Sequence, residues 1–109
     1  MEVQHASLAA GRWQKLTLAE QLGNIGSEVS RAARAQGKSE NDFRNAVDRA
    51  LELFEFTLLD PRWRGRYREI ARAREVFLDA ASGGAEYKSS LHDLVRYFDE
   101  FAYAARLRA

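Results

Sequence analysis

The sequence predicts an all-α fold, specifically an antiparallel four-helix bundle with up-down-up-down order. Apolar residues recur at three- and four-residue spacing in four separate stretches, which is the pattern of amphipathic helices. The single proline and a Gly-Gly pair lie between these stretches, where helices commonly end. Because the linking segments are short, we expect consecutive helices to be antiparallel neighbours around one core.

The first two predicted helices begin at side chains that cap backbone N–H groups. Helix one begins after Thr17, where Thr-Leu-Ala-Glu matches a capping box, and it ends at Gly37. Helix two opens at Ser39, and Pro61 ends it because the residue before a proline disfavours helical geometry. The predicted buried faces are Leu18, Leu22, Ile25, Val29, Ala32 and Ala33 in the first helix, and Phe43, Ala46, Val47, Ala50, Leu51, Leu53, Phe54 and Leu58 in the second.

The last two predicted helices are separated by the glycine pair. Helix three is predicted over 62–81, and the glycines after it suit a left-handed C-terminal cap. Helix four starts at Ser90, with Asp93 completing another capping box. The predicted buried faces are Trp63, Tyr67, Ile70, Ala71, Phe77, Leu78 and Ala81 in the third helix, and Leu91, Leu94, Val95, Phe98, Phe101, Ala102 and Ala105 in the fourth.

Two glycines and the N-terminal stretch complete the expected organisation. Gly23 and Gly26 fall inside helix one, where each glycine costs up to about 1 kcal/mol relative to alanine. We therefore expect another backbone to approach closely along that side of the helix, with a ligand contact as the alternative. Residues 1–12 are predicted to form a flexible arm, and residues 13–109 the four-helix bundle.

Composition limits the class of protein. A chain of 109 residues fits one domain, and the absence of cysteine excludes disulfides and thiolate metal sites. The opening residues lack the signal-peptide pattern and no apolar run is long enough to span a membrane, so a cytoplasmic location is expected. With 17 basic against 16 acidic residues, the molecule has no overall positive field, and binding of a polyanion requires local clustering of cations.

The residues do not indicate a catalytic or metal site. The two histidines are His5, in the predicted arm, and His92, in the first turn of helix four. A single histidine in the bundle, without cysteine, supplies neither a nucleophile–base pair nor the inward Glu-x-x-His pairs of a di-metal bundle. The sequence therefore predicts a protein that is not an enzyme and that has no metal and no cofactor.

An arginine-rich stretch in helix three is the most distinctive local feature. Arg64, Arg68 and Arg72 have the i, i+4, i+8 spacing of one helix face, and we call this set the arginine ridge. Arg62 and Arg66 flank it near the helix N-terminus, where the dipole favours anions. Such a ridge could follow the phosphates of RNA or DNA with salt-sensitive affinity. The alternative is a solvated face neutralised by neighbouring acidic residues.

Arg74 is predicted to form a buried ion pair. The helical wheel puts it in the middle of the apolar stripe of helix three, where an unpaired charge is prohibitive. Its expected partner is a carboxylate of another helix, with Glu28, Glu55 and Asp99 as the candidates. Such a pair would fix the register of the bundle.

Three aromatic residues are predicted to point outwards. Phe56, Tyr97 and Tyr103 fall off the main apolar stripes of their helices. A joined apolar surface marks an interaction site. In a bundle of this size self-association is the natural use of such a surface, so a homo-oligomer is expected.

Three segments, 13–31, 50–60 and 68–77, resemble a group of small uncharacterised bacterial helical proteins. At the level of architecture, the chain is similar to the accessory variability protein of diversity-generating retroelements. That similarity implies a basic four-helix bundle that assembles into a ring and works with a reverse transcriptase and RNA. No residue motif links this chain to that family, and its near-neutral charge departs from the family's basic character.

These observations favour a non-enzymatic, self-associating accessory protein that binds RNA or DNA phosphates through the arginine ridge. The similarity adds a reverse transcriptase as a candidate partner. The alternative is a protein–protein interaction or structural bundle with no nucleic-acid ligand.

Overall fold

The computed structural model of the chain describes residues 11–107, and every regular element among them is helical. Two short 3-10 helices, Trp13–Lys15 and Pro61–Arg66, precede the first and third long helices. The prediction of an all-α fold with four packed helices is confirmed for this part of the chain. Most of the predicted arm, 1–12, lies outside the described residues. The four long helices are α1 (Leu18–Ala35), α2 (Glu40–Leu58), α3 (Tyr67–Ala81) and α4 (Leu91–Leu107).

Three of the helices begin where the sequence predicts. The Thr17 capping box is closed in both directions, with the two hydrogen bonds at 2.9 and 3.1 Å. Ser39 Oγ accepts from the backbone N–H of Asp42 at the start of α2. Ser90 and Asp93 exchange hydrogen bonds of 3.0 and 3.1 Å before α4. These contacts satisfy N–H groups that the first helical turn leaves without an intrahelical partner.

Helix α1 lies between α2 and α4 and packs most extensively against both of them. The centre of the core is aromatic: the ring of Phe54 on α2 lies 5.9 Å from that of Phe77 and 6.0 Å from that of Phe98. Burial of these large rings supplies the main driving force for packing the helices together. The other buried apolar residues are Trp13, Leu22, Ile25, Val29, Ala32, Ala33, Ala46, Ala50, Leu53, Ile70, Ala73, Ala80, Leu91 and Leu94.

The two glycines within α1 face α4 at close range. A Cβ on Gly26 would lie 2.5 Å from Cβ of Phe98, and one on Gly23 would lie 3.2 Å from Cα of Ala102. The predicted close approach of a second backbone is therefore confirmed. The contacts advance along α1 while they recede along α4.

The third helix differs from the prediction at its N-terminus. The segment Pro61–Arg66 is a 3-10 helix, and α3 begins only at Tyr67. Trp63 has non-helical backbone angles (φ −105°, ψ 21°), and a carboxylate oxygen of Asp60 accepts from the backbone N–H of Arg62. This local capture of the backbone favours a tight turn over a continuous α-helix. As a consequence Tyr67, predicted to be buried, is 52% exposed.

No helix in the described part of the chain is long and apolar enough to cross a membrane.

Candidate nucleic-acid interface

The segment that carries the candidate phosphate contacts is anchored by a buried carboxylate. Asp60, which follows α2, is only 3% exposed. Its oxygens accept from Nη2 of Arg62 at 2.7 Å and from Nε2 of Gln21 at 3.2 Å. The Arg62 guanidinium, more than any other group, holds the pKa of the Asp60 carboxyl below its usual value. The anchor therefore carries a negative charge at neutral pH.

Gln21 joins this carboxylate to two tryptophans. Its Nε2 donates to the carbonyl oxygen of Trp13 at 2.8 Å, and its Oε1 accepts from Nε1 of Trp63 at 2.9 Å. Trp13 Nε1 donates in turn to the hydroxyl of Thr57 at 3.1 Å. A buried polar network whose members are all paired holds one arrangement of the surrounding chain. This network fixes the 3-10 helix Pro61–Arg66 against α1 and α2.

Arg62 is committed to this anchor. Besides its bonds to Asp60, its Nη2 donates to the carbonyl oxygen of Leu16 at 2.8 Å. Its guanidinium carbon also lies 4.5 Å from the ring centroid of Trp63. The structure therefore gives Arg62 an internal structural contact, which limits the phosphate-binding role predicted for it.

Arg66 and Arg72, also predicted to contact phosphates, have neighbours of their own on the protein. Arg66 makes a two-pronged pair with Glu69 at 2.7 and 2.9 Å, and this contact lowers the pKa of the Glu69 carboxyl. Arg72 lies over the ring of Tyr87, 5.4 Å from its centroid. The neighbouring acid partly neutralises Arg66, as the alternative interpretation of the arginine-rich stretch expects.

Arg64 and Arg68 are the two exposed members of the arginine ridge without such neighbours. Among the described residues neither makes an ion pair or a hydrogen bond through its side chain. Arg64 belongs to the 3-10 helix and Arg68 to α3, with a non-helical backbone at Arg66 between them (φ −111°, ψ 7°). The single i, i+4, i+8 face that was predicted is therefore interrupted, and only Arg68 and Arg72 share a face of α3.

Arg74 lies 2.9 Å from Oε1 of Glu55 through its Nε, across the boundary between α3 and α2. Glu55 is one of the three predicted candidates. The Arg74 side chain is 32% exposed and that of Glu55 53%, so the pair is only partly buried. Nε of Arg74 is itself buried and has no aligned hydrogen-bond acceptor among residues 11–107, so this contact is an ion pair only. The long arginine side chain reaches past the apolar stripe to solvent.

The three predicted interface aromatics have different surroundings. Tyr97 and Tyr103 are exposed, whereas Phe56 is half-buried and packs against the core. The outward orientation predicted for Phe56 is therefore wrong, because α2 has neighbours on more than one side. Tyr97 also forms one wall of an apolar groove of about 310 Å³ between α3 and α4, with Ala73, Val76 and Leu94 among the other lining residues.

A second basic surface lies outside the stretch that the sequence singles out. A cleft of about 470 Å³ between the end of α1 and the start of α2 is lined by Arg31, Arg34, Lys38 and Arg49. Sequence reasoning missed it because Arg49 is distant from the other three cations along the chain and meets them only through the packing of α1 on α2. The close spacing of Arg31, Arg34 and Lys38 along the chain was the available local signal.

No family model, curated protein or solved structure matches this chain. Within residues 11–107, no group of three histidine, cysteine, aspartate or glutamate side chains could hold a metal ion. The candidate site is therefore defined by its geometry alone, as a cationic surface on a helical bundle.

Proposed function

We propose that the chain is a non-enzymatic accessory protein that binds RNA or DNA phosphates at the junction of the 3-10 helix Pro61–Arg66 and α3. The observation that carries the proposal is the exposure of Arg64 and Arg68, neither of which has an acidic partner within residues 11–107. Arginine presents a planar fork of donors that matches phosphate oxygens. The Asp60 anchor supports the role indirectly, since it holds the backbone that carries Arg64 in place.

A binding assay across a salt series tests this proposal. Fluorescence anisotropy with labelled single-stranded RNA, single-stranded DNA and duplex DNA is measured between about 50 and 200 mM salt. The double variant Arg64→Gln/Arg68→Gln should weaken binding and lower the log–log salt slope by about 1.4 for single strands, because each lost phosphate contact changes it by about 0.7.

The matched control removes the same charge elsewhere. Arg44→Gln/Arg96→Gln takes two exposed arginines from α2 and α4, and it should leave the slope nearly unchanged. Absent binding, salt-independent binding, or equal losses in the two double variants would each reject the proposal.

Self-association is the second candidate, and the groove between α3 and α4 favours it. The groove wall includes Val76, Leu94 and the exposed Tyr97. A contiguous apolar surface of this kind suits a protein partner, including another copy of the chain. Light scattering should show a smaller assembly for Tyr97→Ser than for the wild type, with Tyr103→Ser as the comparison. A monomeric wild type would exclude a homo-oligomer.

Two finer points belong to the same proposal. We infer an up-down-up-down order for the bundle, which is supported by one pocket where Gln36 after α1, Gly83 after α3 and Ser90 before α4 come together.

A reverse transcriptase in the cytoplasm is proposed as a partner on the architectural similarity alone. Co-purification of the two proteins with and without ribonuclease treatment tests it, and absence of a complex in both samples would reject it.

A further inference from the structure

The cleft between α1 and α2 has an unbalanced charge. Its walls carry four cationic side chains and a single carboxylate, that of Asp42. The small side chains of Ala35 and Ala46 also line it and leave space between the two helices. The four cations are Arg31, Arg34, Lys38 and Arg49.

The tight turn between the helices brings these groups together. Gly37 adopts a positive φ of 78°, a conformation that glycine reaches without steric cost. The chain reverses there, so Lys38 follows Arg34 around the end of the cleft while α2 returns alongside α1. The cations thus converge from both helices and from the turn on one volume.

Arg34 and Lys38 carry the inference. The side chain of Arg34 makes one long hydrogen bond, from Nη1 to the hydroxyl of Ser30 at 3.3 Å. Lys38 is exposed and makes no ion pair within the described part of the chain. Arg31 is different, because its Nη1 pairs with Glu28 at 3.0 Å. Arg49 also has an interaction within the protein. Two of the four cations, Arg34 and Lys38, therefore remain available to an anion.

The helix dipoles do not add to the positive charge of the cleft. The negative end of α1 and the positive end of α2 lie side by side at the turn, and their partial charges oppose each other. An anion in the cleft would be held by the side chains themselves. An arginine fork and a lysine ammonium, such as those of Arg34 and Lys38, are groups that proteins use for phosphate.

We infer that this cleft is a phosphate-binding site for a nucleotide or for a nucleic-acid strand. Its volume of about 470 Å³ lies within the range of about 300 to 1,000 Å³ typical of small-molecule sites. The cleft uses residues of α1, α2 and their turn, whereas the proposed nucleic-acid surface uses Arg64 and Arg68. The inference therefore stands whether or not that proposed function is correct.

Calorimetric titration of the full chain with inorganic pyrophosphate at low salt is the first test. The double variant Arg34→Gln/Lys38→Gln should bind pyrophosphate at least about tenfold more weakly, the effect of losing about 1.4 kcal/mol of charge-assisted hydrogen bonding. Both side chains reach solvent, so the variant is expected to fold, and its circular dichroism and melting temperature check that. Arg44→Gln/Arg96→Gln should bind within about twofold of the wild type.

Two further ligands identify the source of the phosphate. A nucleoside diphosphate that binds more tightly than pyrophosphate assigns the cleft to a free nucleotide, and an oligonucleotide that competes with pyrophosphate assigns it to a strand. The variant Arg64→Gln/Arg68→Gln should leave pyrophosphate binding unchanged, which separates this site from the proposed nucleic-acid surface. No binding of pyrophosphate by the wild type, or equal binding by Arg34→Gln/Lys38→Gln, would overturn the inference.

Discussion

Gly26 on α1 and Phe98 on α4 set the separation of these two helices, since a Cβ on Gly26 would lie 2.5 Å from Cβ of Phe98. No real side chain occupies that distance, so the two backbones can remain this close only with glycine here. Phe98 is also part of the aromatic cluster around Phe54. The contact therefore links the spacing of α1 and α4 to the centre of the core.

Gly26→Ala should destabilise the protein, although alanine is the better helix former by about 1 kcal/mol. The added methyl group forces α4 outwards, and overpacking of this kind costs about 1 to 3 kcal/mol. Urea denaturation followed by circular dichroism measures the change. Gly65→Ala is the control, because a Cβ at Gly65 meets nothing within 4 Å. Equal stability of Gly26→Ala and the wild type would show that α1 and α4 can move apart without a loss of stability.

Gln21→Met should lower the free energy of unfolding by about 2 to 3 kcal/mol. The substitution keeps the side-chain volume but leaves Nε1 of Trp63 and the carbonyl oxygen of Trp13 without their partner, and a buried polar group without a hydrogen bond costs about 1 to 3 kcal/mol. Thermal and urea unfolding measure the loss. Asn24→Met, on the exposed side of α1, should cost less than about 1 kcal/mol. A similar small loss for Gln21→Met would argue against the network.

Asp60 should make the stability of the fold depend on pH in the acidic range. Its pKa in the folded protein is held below the ordinary value of an aspartate, chiefly by the hydrogen bonds from the Arg62 guanidinium. A carboxyl with a depressed folded pKa stabilises the fold above its unfolded pKa, and this contribution is lost as pH falls through the folded pKa. Asp60→Asn should therefore be less stable at neutral pH and lose less stability on acidification below about pH 4.

Unfolding free energies of wild type and Asp60→Asn, measured from neutral to strongly acidic pH, provide the test. Asp99→Asn removes an exposed carboxylate on α4 and serves as the control. Parallel pH profiles of wild type and Asp60→Asn would show that the pair of Asp60 with Arg62 does not contribute to the pH dependence of stability.

The ion pair of Arg74 and Glu55 should contribute little to the free energy of unfolding. Both side chains are partly exposed, and exposed pairs typically contribute about 0.2 to 1 kcal/mol. A double-mutant cycle with Arg74→Gln and Glu55→Gln should therefore give a coupling of about 0.5 kcal/mol. A coupling above about 3 kcal/mol, the cost expected on breaking a buried pair, would instead support the prediction made from the sequence.

Features that depend on near neighbours in the chain could be predicted from the sequence. The helix starts at Thr17, Ser39 and Ser90 follow from side chains that cap backbone groups three residues away. The all-α class follows from the spacing of apolar residues, and the close approach at Gly26 follows from a glycine that a helix would otherwise disfavour. Each of these signals is local, so one sequence was enough to read it.

Which cations are available to an anion depends on the packing of the helices and could not be predicted from the sequence. Arg62 lies next to Arg64 in the sequence, but the buried carboxylate of Asp60 and the carbonyl oxygen of Leu16 engage it. Arg34 and Arg49 are distant in the sequence, but the packing of α1 on α2 places both in one cleft. The electrostatic interaction of two charges depends on their distance and on the groups between them. Both are set by the packing of helices that are remote from one another along the chain.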